Sequence, residues 1–323
     1  MKKILLAVTA ALAITSCSQN EEFDVQKSSN EISINTGVSN ATRAVLITND
    51  NFGKFYVNAY GQTGENFDAT AASTEVIKGG VFTTADKGTT WTTGGHYYWP
   101  ADGHVTFFGY GGTEGITAYT APNPAFPTFK YAVKDDVATQ EDVVVAQNQK
   151  VAKSTTAVGL LFKHALTQVY FKLQGSGTGL TYEVTNVTIK NALNSGTFTY
   201  GTDPATSIGG WVADATKKDY SIAHTQEVTG TDAVVYGDAA QAMILMPQTL
   251  SGVTVEVTYS AKNGDVVVRN SATETWNLSG TWEIGKKMAY VLTLSVDEIQ
   301  LNGSLDSDGA WVNKEDGNAP TKP

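Results

Sequence analysis

Residues 253–268 read VTVEVTYSAKNGDVVV. Val253, Val255, Val257 and Tyr259 fall on one side of an extended chain, and Thr254, Glu256, Thr258 and Ser260 fall on the other. A period of two sustained over eight residues marks a strand with one buried face. Asn263-Gly264 is a dipeptide suited to a tight hairpin turn, which needs positive φ, and Val266–Val268 resume the extended pattern. The same grammar runs outward from here. Tyr290, Leu292, Leu294 and Val296 share a face after Trp282–Lys287. Upstream, Leu180, Tyr182 and Val184 alternate, and the phase resets at Val187 and Ile189 as across a bulge. Lys54–Tyr60 (KFYVNAY) and His104–Tyr110 (HVTFFGY) repeat the signal. Asp142–Ala146 (DVVVA) is apolar on both faces, as a fully buried strand would be.

No amphipathic helix of ordinary length interrupts these runs. Pro122, Pro124 and Pro127 mark an irregular stretch that cannot be a central strand. Residues 193–232, rich in Gly, Thr and Asp, are expected to be long loops with short strands. Many short strands with close turn signals predict an all-β protein built of β-sandwiches. At 323 residues the chain exceeds the size at which one core stops growing, so two such domains are expected. The polar run Lys150–Ala157 places their boundary, giving domains 44–155 and 156–323.

The first residues have a different character. Lys2 and Lys3 precede an apolar run from Leu5 to Ile14, the layout of an export signal and too short to span a bilayer permanently. Ile14-Thr15-Ser16-Cys17 resembles a bacterial lipobox, with Ile14 where Leu is usual. On that reading residues 1–16 are removed and Cys17, the single cysteine, is acylated. Several acyl chains at about 0.8 kcal/mol per buried methylene would hold the protein on the outer membrane. The acidic residues of Ser18–Glu22 resemble the export tag of surface lipoproteins, and residues 17–43 form a lipidated tether ending in a strand.

That strand lies in Glu31–Val45, EISINTGVSNATRAV. Ile32, Ile34 and Val38 alternate with polar residues, with Thr36 in the remaining inward slot. Ser39–Thr42 are small and suit an exposed loop open to proteases. Arg43 is one of two arginines, against twenty lysines. The residues allow two readings: a permanent first strand, or one that can be detached. The other arginine, Arg269, adjoins the Val266–Val268 run, where a folded strand would protect it.

Several tracts together resemble the type V pilin, or fimbrillin, family. They are Tyr97-Tyr98-Trp99-Pro100 followed by Val105–Tyr110, Asp142–Ala146, Leu161–Leu166 (LFKHAL), Ile244–Gln248 (ILMPQ), Trp282–Lys286 leading into Tyr290–Leu294, and Asn40–Ala44 behind the lipoprotein signal. Their order spans nearly the whole chain. The resemblance implies two transthyretin-like sandwich domains in a fimbrial subunit with a role in adhesion. It implies that an arginine-specific extracellular protease cuts between Arg43 and Ala44 and makes the strand bearing Ile32, Ile34 and Val38 removable. A terminal strand of another pilin subunit then takes its place. The donor region carried over to this chain is Val296–Leu305, through Val296, Ile299, Leu301 and Leu305, extending to Trp311. The polar tail from Val312 to Pro323 departs from the pattern and leaves stalk, tip and accessory positions open.

Other classes find little support. A net charge of −10 with no basic stripe argues against nucleic acid. His96, His104 and His224 lack metal-ligand spacing, and His164 reads as a packed strand residue. Asp306-Ser307-Asp308-Gly309 lacks the closing glutamate of a calcium loop. Asp135-Asp136 and Glu141-Asp142 could pair as carboxylates but read as a solvated rim. No nucleophile elbow, phosphate loop or dinucleotide fingerprint is present. Neither catalysis nor a cofactor is expected. The alternative is a surface lipoprotein binding glycans on exposed aromatics, with Trp91, Trp99 and Trp211 as first choices.

Overall fold

A computed structural model describes residues 30–38, 50–64, 66–237, 242–297 and 299–305. The first part of the chain forms β1 (Ile34–Val38), β2 (Lys54–Gln62), β3 (Thr74–Thr83), β4 (Thr92–Thr93), β5 (His104–Gly111), β6 (Thr117–Thr120), β7 (Thr128–Ala132), β8 (Val144–Ala152) and β9 (Val158–His164). There follow β10 (Thr167–Gly175), β11 (Thr181–Leu193), β12 (Ser195–Tyr200), β13 (Gly209–Ala213), β14 (Lys217–Thr229), β15 (Val234–Val235) and β16 (Met243–Leu245). The series ends with β17 (Gln248–Thr249), β18 (Thr254–Asn263), β19 (Val266–Asn277), β20 (Thr281–Trp282), β21 (Lys287–Leu294) and β22 (Gln300–Leu305). A single 3-10 turn, Val137–Thr139, is the helical element among the described residues.

A seven-stranded sheet runs β1-β9-β8-β5-β2-β3-β4. Its central strands β2 and β5 are buried on both sides because each side faces a separate apolar layer. Phe55, Val57 and Ala59 of β2 join Phe107 of β5 and Phe162 of β9 in one cluster. Tyr60 and Phe108, on the opposite face, join a second and larger cluster. That second face is covered by the sheet β13-β12-β7-β6. Phe108 meets Tyr200 edge-on at 5.0 Å between ring centroids, and Tyr200 donates its hydroxyl to the Gly109 carbonyl at 2.8 Å. In the remaining part, β15-β10-β21-β22, with β16 also on β10, and β14-β11-β18-β19 send their inner side chains into one core. The protein is thus all-β, with sheets stacked in layers as the alternation predicts.

Several local expectations hold. Val253, Val255, Val257 and Tyr259 are all buried, and the β18–β19 hairpin turns at Gly264 with φ +56°. The reset near Val187 is a register shift between Val184 and Asn186, opposite both neighbouring strands. Others need correction. Residues 193–232 hold β12, β13 and the thirteen-residue β14, not mainly loops. The alternation of Tyr220, Ile222 and Val228 in β14 is interrupted because half-buried polar His224 and Gln226 occupy the intervening positions on the same face. Val158–Leu173 is two strands in two different sheets, with the chain crossing between them at Ala165-Leu166. Hydrogen bonding also crosses residue 155: β9 completes the first sheet, and β7 pairs with β12. Val266–Val268 lie exposed on the edge strand β19.

Candidate strand-exchange site

The segment from Asn30 to Val38 holds two edges of the first sheet together. Its first residues pair with the chain just after β4. Glu31 forms an antiparallel bridge with Tyr98, the Ile32 amide donates to the Tyr97 carbonyl at 2.7 Å, and the Trp99 amide donates to the Asn30 carbonyl at 3.0 Å. Its later residues form β1, which runs parallel to β9 in the register Ile34 opposite Val158 through Val38 opposite Phe162. The Val158 amide donates to the Ser33 carbonyl at 2.8 Å between the two halves. Nine residues therefore span from the β4 side to the β9 side and close the sheet over its own core.

Alternation explains why the segment seats there. Ile32, Ile34 and Val38 are 4%, 6% and 4% exposed and belong to the cluster that includes Trp99, Phe107, Leu160 and Phe162. Their burial contributes roughly 5–9 kcal/mol at 1.5–3 kcal/mol each. Each backbone hydrogen bond adds a net of about 0.5–1.5 kcal/mol. Asn35 is exposed, and its side-chain oxygen accepts from the Thr36 amide at 2.8 Å. At the rim, Glu31 Oε1 lies 2.9 Å from His96 Nδ1.

The loop beside this groove is pinned by Asp86. Its carboxylate accepts from the hydroxyls of Thr90 at 2.5 Å and Thr84 at 2.7 Å and from the Thr90 amide at 2.8 Å. These donors, Thr90 first, pull the Asp86 carboxyl down to about 2.

The expected donor region is also ordered into a sheet. β22 pairs antiparallel with β21, from Met288 opposite Leu305 to Thr293 opposite Gln300, and sits at the sheet edge. Ile299 is buried, and the Val296 carbonyl accepts from Arg269 Nη1 at 2.9 Å. Arg269 is further engaged by an ion pair with Glu274 and lies 4.3 Å from the Tyr259 ring centroid. Cys17, Arg43, Ala44 and Trp311 lie outside the described residues. So does the Asp306–Gly309 stretch.

Two features escape sequence reading. The pairing of residues 30–32 with 97–99 links positions with no periodic signal between them. Asp142 is not part of a solvated rim: it is buried and its Oδ2 lies 2.6 Å from Nδ1 of buried His164. Its neighbours do sit nearer solvent, Asp136 capping the 3-10 turn, Asp135 bridging Lys218 at 2.8 Å and Glu141 bridging Lys134 at 2.6 Å. The three tryptophans proposed as platforms are packed instead. Trp91 sits edge-on to Phe52 and Phe55, Trp99 is buried beside Phe107, and Trp211 packs on Phe129 and Phe198 while donating Nε1 to the Ala165 carbonyl at 2.6 Å.

With this geometry in place, the family model for fimbrillin-like proteins matches residues 18–306. The chain belongs to the fimbrillin-like family. Fimbrillin-like membership gives it a fimbrial or adhesive role at the cell surface. Three solved structures share the fold. A candidate cell adhesion protein from Bacteroides uniformis has TM-score 0.53 at 15% identity, over 89% of this chain and 100% of that one. One from Bacteroides ovatus has TM-score 0.51 at 15% identity, over 88% and 98%. One from Parabacteroides distasonis has TM-score 0.51 at 9% identity, over 85% and 95%. No curated protein matches the sequence.

Proposed function

We propose that this fimbrillin-like chain is exported as an outer-membrane lipoprotein anchored through Cys17, cut between Arg43 and Ala44 by an arginine-specific protease, and assembled with other pilin subunits by strand exchange. The observation that carries the reading is the segment 30–38. It is seated by three apolar side chains and two sets of backbone bonds, yet joins the body through the stretch that contains Arg43. The binding energy of that segment approaches the stability of a whole domain, about 5–15 kcal/mol. A cut therefore makes the strand separable without expelling it, and an incoming strand must displace it. Until then the resident strand covers the edge of β9. Afterwards the same pairing joins one subunit to the next.

The terminal strand supports a donor role. Residues 30–38 read NEISINTGV, and residues 297–305 read DEIQLNGSL. Ile299, Leu301 and Leu305 stand where Ile32, Ile34 and Val38 stand, and Asn302 matches Asn35. To donate, β22 must first leave β21. The likeness to cell adhesion proteins fits an adhesive surface fibre, and the packed tryptophans favour this over glycan binding on exposed aromatics. An Arg43→Ala protein should stay full length, monomeric and membrane-bound. Cut wild-type protein should form ladders on gels run without boiling. Normal fibre incorporation of the uncut variant would overturn the processing step.

A further inference from the structure

The resident strand fills its groove incompletely at one level. Between buried Ile34 and Val38, the inward position is Thr36, half-buried. It borders a hollow of about 240 Å³ walled by Phe52, Trp91 and the turn Lys87–Thr89. The next position, Gly37, carries no side chain and lies opposite Leu161. A Cβ placed on Gly37 would meet one atom within 4 Å, Leu161 Cδ1 at 3.8 Å. A second hollow of about 300 Å³ opens there on the outer face, beside Asn35, Gly159 and an exposed Leu161. The first hollow offers the Phe52 and Trp91 rings to a larger side chain, beside the polar Lys87–Thr89 turn, and at Gly37 no backbone stands in the way.

The chain's own terminal strand would fill the first of them less well. In the register that aligns Ile299 with Ile32, the residue at the Thr36 level is Gly303 and the next is Ser304. Glycine is also among the poorest residues in a strand interior. Resting on the strand-exchange reading above, we propose that this groove is shaped for a strand from a different subunit, one with a large aliphatic side chain at the Thr36 level. Its pattern is apolar at four alternate inward positions, where the resident strand and the chain's own tail have three. Thr36 is then the specificity-determining position: it leaves the resident strand displaceable by a better-fitting donor and disfavours head-to-tail assembly of identical copies.

Two measurements test this. In the uncut full chain, Thr36→Leu should raise the melting temperature by about 2–4 °C, because it fills a hollow without requiring exchange. An unchanged or lower melting temperature would refute the hollow as a side-chain subsite. In full chain cut after Arg43, three labelled peptides are compared as displacers of the resident segment: NEISINTGV, the same peptide with Thr36→Leu, and DEIQLNGSL. The leucine peptide should act at least tenfold below the concentration needed for the unmodified one, and DEIQLNGSL should be weaker than both. If DEIQLNGSL equals or exceeds the leucine peptide, the proposal of a different donor is wrong. If no peptide enters while Thr36→Leu stabilises the uncut chain, the exchange reading itself falls, and the donor preference with it.

Discussion

Replacing Ile34 by alanine should loosen the segment 30–38 without unfolding the protein. Ile34 is buried in the first core, opposite Val158 of β9. Truncating a buried isoleucine to alanine costs about 2–5 kcal/mol, and the low end applies where neighbours can collapse into the space. β1 is an edge strand, so its neighbours can shift, and about 2–3 kcal/mol is expected. At 1.4 kcal/mol per factor of ten, the open form becomes roughly 30–150 times more populated. Hydrogen exchange reads this directly, because the Val158 amide is closed by the Ser33 carbonyl at 2.8 Å. Exchange at Val158 should speed up by that factor, while amides of β11 and β18 in the second core keep their wild-type rates. Such a split is the signature of a segment that opens as its own cooperative unit. If Val158 and the second core accelerate together, or neither changes, the segment is an integral part of the fold and the reasoning fails.

Asp142→Ala should destabilise the fold by roughly 1.5–3 kcal/mol in urea unfolding, because it removes the buried 2.6 Å contact between Asp142 and His164 beside the join of β8 and β9; a loss under about 0.5 kcal/mol would contradict this. Alkaline pH should unfold the protein through its tyrosines. Burial raises the hydroxyl pKa of nine of the fourteen, Tyr236 and Tyr290 to about 12 and Tyr200 well above 10. A raised folded-state value means that the stabilisation is complete below the unfolded value near 10 and is lost as pH climbs past it. Absorbance at 295 nm should therefore show these tyrosines ionising together with loss of structure. Smooth ionisation of all of them near pH 10 in a folded protein would refute it.

Alternation alone determined that the protein is all-β, which residues of β18 and β11 face the core, and where β11 bulges. It also picked out Ile32, Ile34 and Val38 as one face of a strand, since a period of two is a local property that side-chain polarity records. Strands such as β14 carry less of this signal, because His224 and Gln226 share the face of Tyr220, Ile222 and Val228 and weaken the contrast between the two sides. The tertiary structure alone decided what those faces meet. It set Asn30–Ile32 against Tyr97–Trp99, brought Asp142 to His164, and drew β7 and β12 into one sheet across the expected boundary at 155. It likewise packed Trp91, Trp99 and Trp211 against other aromatic rings, Trp99 buried and the other two half-buried. Pairing between distant segments depends on which edges the folded layers leave side by side, and no residue carries a local mark of its distant partner.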